Sequence, residues 1–230
     1  MDAEKVYVTL SDIKDKLLYG DPEEIDVLTD LIILIDLAKS EMYSKELKKN
    51  KKLNQFNVMR RILKRTAQSP RECLRYSYIH TDGLQYVCDG FVMIGSVKQY
   101  ELPLSPREVG YFDIDRIKPS YSEDFAIELE LPDISWLKAE IKIAKKRKQA
   151  PVYFFGEGYQ YVSAKYLLDV LEAFESPRAV TYADKPDSNV KSIEINCPNG
   201  DYGLLIPLRP STTKKGIEEN LFYLITPERS

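Results

Sequence analysis

The side chains able to do chemistry are few and scattered. His80 is the only histidine. It stands at the edge of the turn Thr81-Asp82-Gly83 with no nucleophile or acid spaced to form a set with it, so its expected role is structural. Asp82 and Asp89 fall in the turns Thr81-Asp82-Gly83 and Asp89-Gly90, where aspartate is favoured on conformational grounds. Cys73, Cys88 and Cys197 are far apart and show no CxxC spacing. That argues against zinc and against a disulfide framework, and it points to a reducing cytoplasm. Gly156-Glu157-Gly158 joins two aromatic strand-like segments without a following Gly-Lys-Ser/Thr, so it is not read as a phosphate loop. With no triad, metal cluster or paired carboxylates at a meaningful spacing, the expectation is a protein without its own catalysis, metal or cofactor.

Positive charge is the other chemical resource. Lys and Arg total 33 against 36 Asp and Glu, a net charge of -3. Nucleic acid would therefore have to be met by a local patch rather than a global field. Asn54 to Arg65 reads as a helix. At about 100° per residue, Phe56, Met59, Ile62 and Leu63 fall on one side and Arg60, Arg61, Lys64 and Arg65 on the other. No acid of the helix interrupts that basic face, which suits phosphate contacts; a merely solvated face is the alternative. Lys45, Lys48, Lys49, Lys51 and Lys52 precede it, read as a solvated helix end or linker or as part of the same patch. A second basic face, Lys138, Lys142, Lys145 and Lys146, lies on a helix from Ile134 to about Lys148, beside the stripe Ile134, Leu137, Ile141 and Ala144. Trp136 and Ile143 occupy its far side.

The elements that must hold these residues follow in order. Residues 1–53 read as an N-terminal helical extension, with a short strand at Lys5 to Thr9 and a short helix from Ser11 to Leu18. A long helix then starts from Asp21 and Pro22 and runs to about Leu47. Its apolar residues make two adjacent stripes, Ile25, Leu28, Ile32, Ile35 and Val27, Leu31, Leu34, Ala38. Such a helix packs on its own domain or self-associates. The start MDAEKVYVTL lacks a signal-peptide layout, and the apolar run Leu31 to Ile35 is too short to span a membrane, so a cytoplasmic protein is expected. After Gln68-Ser69-Pro70, three strands are expected at Cys73 to Ile79, Leu84 to Cys88 and Phe91 to Ser96. Residues 97–150 form a divergent connection, with a half-exposed strand at Phe125 to Leu131 and a helix capped by Asp133. Then come a strand at Val152 to Phe155, a helix from Ser163 to Phe174, and strands at Ala179 to Ala183, Val190 to Asn196 and Tyr202 to Leu208. Pro198-Asn199-Gly200-Asp201 is a hairpin turn. The tail, 211–230, carries the apolar cluster Leu221 to Ile225, a candidate strand or docking segment.

Asn54 to Ser96 and Ser163 to Leu208 each read as a helix followed by three strands. Two such units imply an α+β, pseudo-twofold domain with two helices on one face of an antiparallel sheet. Two stretches then resemble the sliding clamp of bacterial replication, the beta subunit of DNA polymerase III. One is YVCDGFVMIG, Tyr86 to Gly95, preceded by LRYSYIHTDG; Cys88 stands where that family usually has Thr. The other is VSAKYLLDVLEAF, followed by VKSIEI and GDYGLLIPLR. There the closing Ile206-Pro207-Leu208-Arg209 is similar to the Met-Pro-Met-Arg element that ends the clamp's last domain.

The resemblance covers roughly Asn54 to Pro210. It implies a clamp-like domain over 54–210, with halves at 54–96 and 151–210, in a variant of phage or mobile-element type carrying about one domain where a bacterial clamp chain carries three. It also implies two surfaces. Arg60, Arg61, Lys64 and Arg65, with Lys138, Lys142 and Lys145, would meet double-stranded DNA. Gly90, Phe91, Met93, Leu204, Ile206, Pro207, Leu208 and Arg209 would form an apolar pocket for a short linear motif of a polymerase or other replication protein. The expected function is a non-enzymatic processivity or tethering factor, homo-oligomeric if it surrounds DNA. The alternative is a protein-interaction module with a clamp-derived fold and no DNA-encircling role. For Leu204 to Leu208 a plain core strand is the alternative.

Overall fold

The computed structural model describes residues 24–118, 126–155, 161–182, 192–208 and 221–225. The expected strand at Lys5 to Thr9, the helix from Ser11 to Leu18, the Asp21-Pro22 helix start and the Gly156-Glu157-Gly158 turn lie outside them, as does Arg209. The chain divides into two units, Met1–Leu53 and Asn54–Ser230. In the first, helix α1 spans Glu24–Lys49. It ends where Lys51 takes a left-handed φ of 55°. The Lys51 N–H then reaches the Lys48 carbonyl at 3.2 Å and the Lys52 N–H reaches that of Leu47 at 2.9 Å. This pair of bonds satisfies carbonyls that a helix end would otherwise leave unpaired.

Helix α2, Leu53–Thr66, opens the second unit. Its apolar side is buried, with Met59 and Ile62 both at 0% exposure. The strand expected at Cys73 to Ile79 is instead a 3-10 turn at Glu72–Arg75 and a two-residue strand β1, Tyr78–Ile79. Two hydrogen bonds, one local and one across 26 residues, divert the chain. The Thr66 hydroxyl donates to the Leu74 carbonyl at 2.7 Å, and Ser77 is held by the 103–105 segment, its N–H on the Pro103 carbonyl at 2.7 Å. β2 (Gln85–Cys88) and β3 (Val92–Ser96) follow. Gly83 at φ +85° and Gly90 at φ +91° make the two reversals between these strands. A single turn of helix, α3 (Ile114–Ile117), precedes β4 (Ala126–Leu129) and helix α4 (Ile134–Lys146), whose N-cap Asp133 accepts from the Trp136 N–H. Then come β5 (Ala150–Phe154), β6 (Tyr161–Ser163), helix α5 (Ala164–Ala173), β7 (Arg178–Tyr182), β8 (Ile193–Asn196), β9 (Tyr202–Leu205) and β10 (Leu221–Ile225).

Seven strands form one antiparallel sheet in the order β1-β2-β3-β9-β8-β7-β4. The three strands after α2 thus meet the three strands after α5, β3 lying directly against β9. Register fixes what each face carries, because residues directly across a ladder share a side. Ile94 pairs with Gly203, and Gly203 with Ile195. A Cβ on Gly203 would come within 2.7 Å of the Phe174 ring, so α5 covers that face closely. Ser96 is on the same face, and its hydroxyl donates to Gln55 of α2 at 3.1 Å. Both helices therefore cover one side of the sheet. On the other side Tyr86, Cys88, Met93 and Leu204 pack with Leu74, Phe112 and Ile114 into a second core layer.

The expected strand Tyr202 to Leu208 leaves the sheet after Leu205. Ile206 still donates to the Phe91 carbonyl at 2.8 Å, Pro207 has no N–H to give, and Leu208 donates to the Tyr161 carbonyl at 2.7 Å. The chain thereby crosses to a small mixed sheet, β10-β5-β6, in which β10 runs parallel to β5 and β6 antiparallel to it. The apolar cluster of the tail is thus a strand. On α4, Trp136 sits edge-on to Tyr153 with ring centroids 6.4 Å apart, while Ile143 is exposed.

Candidate functional site

The basic face of α2 meets acids that lie far away in the sequence. Asp169, on α5, is a buried carboxylate, and a buried charge is costly unless it is paired. It takes Arg61 Nε at 2.9 Å on Oδ1 and Arg65 on Oδ2 at 2.6 Å. Arg61 also reaches Glu172 at 2.7 Å, and Arg65 reaches Asp89 at 3.0 Å. Lys138, on α4, joins Glu172 at 2.9 Å. Burial alone would raise the Glu172 carboxyl, but Lys138 and Arg61 hold it below its ordinary value. The seven expected phosphate contacts therefore divide. Arg61, Arg65 and Lys138 are engaged with three carboxylates and tie the helices together. Arg60 lies over the Phe56 ring at 5.4 Å. Arg60, Lys64, Lys142 and Lys145 are exposed and have no acidic partner among the described residues.

The β3–β9 ladder brings the two expected pocket segments side by side. Met93 pairs with Leu204, and each is 1% exposed, so both are core side chains here. Surface belongs to Gly90, Phe91, Ile206 and Leu208, with Pro207 buried between the last two. Phe91 is 48% exposed. It stacks on Tyr166 of α5, with centroids 5.7 Å apart and planes 8° from parallel, and Arg65 lies 5.0 Å over the other ring. The result is an aromatic pair with a guanidinium at its rim, while the Ile206 side chain packs against the Tyr86, Met93 and Leu204 cluster on the other face of the sheet.

A third cluster was not anticipated. On the sheet face away from α2 and α5, the Tyr86 hydroxyl donates to Asp82 Oδ2 at 2.8 Å and Lys118 reaches the same oxygen at 2.6 Å. The Lys118 ammonium lies 5.0 Å over the Tyr86 ring and 4.8 Å over that of Tyr202. Tyr202 and Tyr182 both donate to Glu194, at 2.9 and 2.6 Å. His80 stands between Asp82 and Asp115, a ring nitrogen 3.3 Å from each. Partial burial opposes ionisation of Asp82, but Lys118, the Leu84 N–H and Tyr86 hold its carboxyl well below the usual range. Burial, reinforced by the neighbouring carboxylates, pushes the Tyr86 and Tyr202 hydroxyls well above theirs. Burial also pushes the Cys88 thiol up to about 12. These directions produce fixed hydrogen-bond donors and a fixed anion, whereas a nucleophile requires the opposite shift. In the sequence, the sign of this cluster was tyrosine alternating with apolar residues along strands, a pattern equally typical of plain sheet.

An open groove of about 610 Å³ runs along the β4–β7 edge, lined by residues 128–131, 176–179 and Pro198, away from all three clusters. Among the described residues no group of three or more His, Cys, Asp or Glu is placed to hold a metal ion. Among them, no helix is long and apolar enough to cross a membrane. Comparison with family models, with curated proteins and with solved structures finds no match for this chain.

Proposed function

We propose that the Asn54–Ser230 unit is a non-enzymatic tethering module on a clamp-like, pseudo-twofold plan, and that it works by capturing a short extended peptide with Leu or Phe anchors. One observation carries this reading: the Phe91 carbonyl accepts from the Ile206 N–H, so the two segments singled out from the sequence meet beside the exposed Phe91 ring. Exposed aromatic area beside an arginine suits such a ligand. The partner class is a polymerase or another replication protein bearing a short linear motif. The test is fluorescence anisotropy with a labelled Leu/Phe-anchored clamp-binding peptide. Saturable binding is expected, weakened at least about tenfold by Phe91→Asp and by Leu208→Asp. Absence of binding, or binding indifferent to both substitutions, overturns the proposal.

A DNA-tracking role is the second reading, favoured by Arg60, Lys64, Lys142 and Lys145, which are exposed and meet no acid among the described residues. The same titration run with duplex DNA across a salt series separates the two. Each phosphate contact adds a slope of about −0.9 to the plot of log affinity against log salt, so an Arg60→Ala/Lys64→Ala variant would flatten it by about 2. A flat plot leaves peptide capture alone.

A further inference from the structure

We infer that Asp82, Tyr86 and Tyr202 form a recognition site for an alkylammonium group, the head of a lysine side chain, and that Lys118 is its built-in occupant. The inference is independent of peptide capture at Phe91. The Lys118 ammonium lies 2.6 Å from Asp82 Oδ2, 5.0 Å over the Tyr86 ring and 4.8 Å over the Tyr202 ring. A cation set against two ring faces and a carboxylate is the arrangement that selects ammonium ligands from other groups.

The walls stand without the lysine. Asp82 is fixed by the Leu84 N–H on Oδ1 at 3.0 Å and by the Tyr86 hydroxyl on Oδ2 at 2.8 Å. The Tyr202 hydroxyl donates to Glu194 at 2.9 Å, and Tyr182 donates to the same carboxylate at 2.6 Å. These groups come from β2, β7, β8, β9 and the turn joining β1 to β2, all parts of one sheet. Lys118 comes from outside it, at the C-cap of α3. Without its side chain, an anionic aromatic recess remains. Charge favours a cation there. Asp82, Asp115 and Glu194 lie around the recess, and among the described residues Lys118 is the only lysine or arginine paired with any of them. The recess also opens to solvent, since the Lys118 and Asp82 side chains are each 29% exposed. A flexible lysine at a helix end can swing out of it while the sheet stays in place.

The test uses the full chain with Lys118→Ala, melted against n-propylammonium chloride, which matches the deleted atoms, with sodium chloride at equal ionic strength as control. The variant should melt below the parent and be raised saturably by propylammonium alone, with half-saturation at about 1–100 mM. Lys118→Ala/Asp82→Asn should lose that response. A second titration offers the ammonium on a peptide backbone. Gly-Lys-Gly should shift the Tyr86 and Tyr202 ring resonances of the variant, and Gly-norleucine-Gly should not. The parent should bind Gly-Lys-Gly at least about tenfold more weakly, because its tethered Lys118 competes. Should Lys118→Ala not fold, Lys118→Met retains the stem, and Gly-Lys-Gly should displace its uncharged end. A variant that responds to neither amine overturns the inference. So does rescue by propylammonium without binding of Gly-Lys-Gly, which would mark an internal ion pair only, or equal binding by parent and variant.

Discussion

Tyr86 can lie across its neighbouring strand because Gly95, directly opposite it in the β2–β3 ladder, has no side chain; a Cβ there would fall inside the ring's van der Waals surface. That placement carries the hydroxyl to Asp82 and presents the ring face to Lys118. The consequence is a pH dependence of known sign. The Asp82 carboxyl titrates lower in the folded chain than in the unfolded one. Its contribution to stability is therefore complete above the unfolded value of about 3.9 and is lost as pH falls through the folded value. Asp82→Asn should lower stability in urea unfolding at neutral pH, and its deficit relative to the parent should shrink below about pH 3. Tyr86→Phe removes a donor to a charged acceptor. It should cost about 1.5 kcal/mol at neutral pH, near the low end for such bonds because the site is partly open to water. A deficit that stays constant from neutral to acid pH would show that Asp82 is bonded no better folded than unfolded.

Helices α1 and α4 end in the same way, and neither uses glycine. Lys51 and Lys148 have φ of 55° and 58°, and in each case the next residue's N–H returns to a carbonyl five residues back. In α4 these bonds are Lys148 to Lys145 at 3.1 Å and Gln149 to Ala144 at 3.0 Å. A side chain in the left-handed region costs about 1–2 kcal/mol relative to its usual conformation. Glycine avoids that strain but has more freedom to lose on folding. The net expectation is that Lys51→Gly and Lys148→Gly each stabilise their helix end by about 0.5–1 kcal/mol. Thermal melts of the single and double variants check this. The two sites are far apart along the chain and share no bond, so their effects should add. Lysine stands at both positions with an ammonium near the negative end of its helix, an advantage that the substitution removes and that salt would screen.

At the scale of the molecule, what could be read from the sequence was local. Asp82-Gly83, Asp89-Gly90 and Asn199-Gly200 announced their reversals because backbone demands and turn residues are neighbours. The apolar stripes of α2, α4 and α5 were visible because their period is a few residues. What stayed hidden joins distant parts: Asp169 takes Arg61 from 108 residues away, and Lys118 returns to Asp82 across 36. A helix wheel drawn for α2 alone shows a basic face and cannot show the carboxylates that another helix brings to it. The continuity of the large sheet is of the same kind, since it depends on four residue pairs between β3 and β9. A buried network crosses the same junction. Gln55 Nε2 donates to Asp201 at 2.9 Å, Tyr100 and Ser96 donate to Gln55 Oε1, and the Val97 N–H donates to Asp201 at 2.9 Å. Polar groups this deep are costly to expose one at a time, which couples the two helix-and-three-strand halves. Hydrogen exchange followed by mass spectrometry should therefore find β3 and β9 opening together with α2 and α5 as the slowest unit. The two-residue strand β1 and the edge strand β4 should exchange earlier, each having a neighbour on one side only. Gln55→Ala should accelerate exchange in β3 and β9 alike, and a response confined to the 54–96 half would show that the sheet joins two units that open separately.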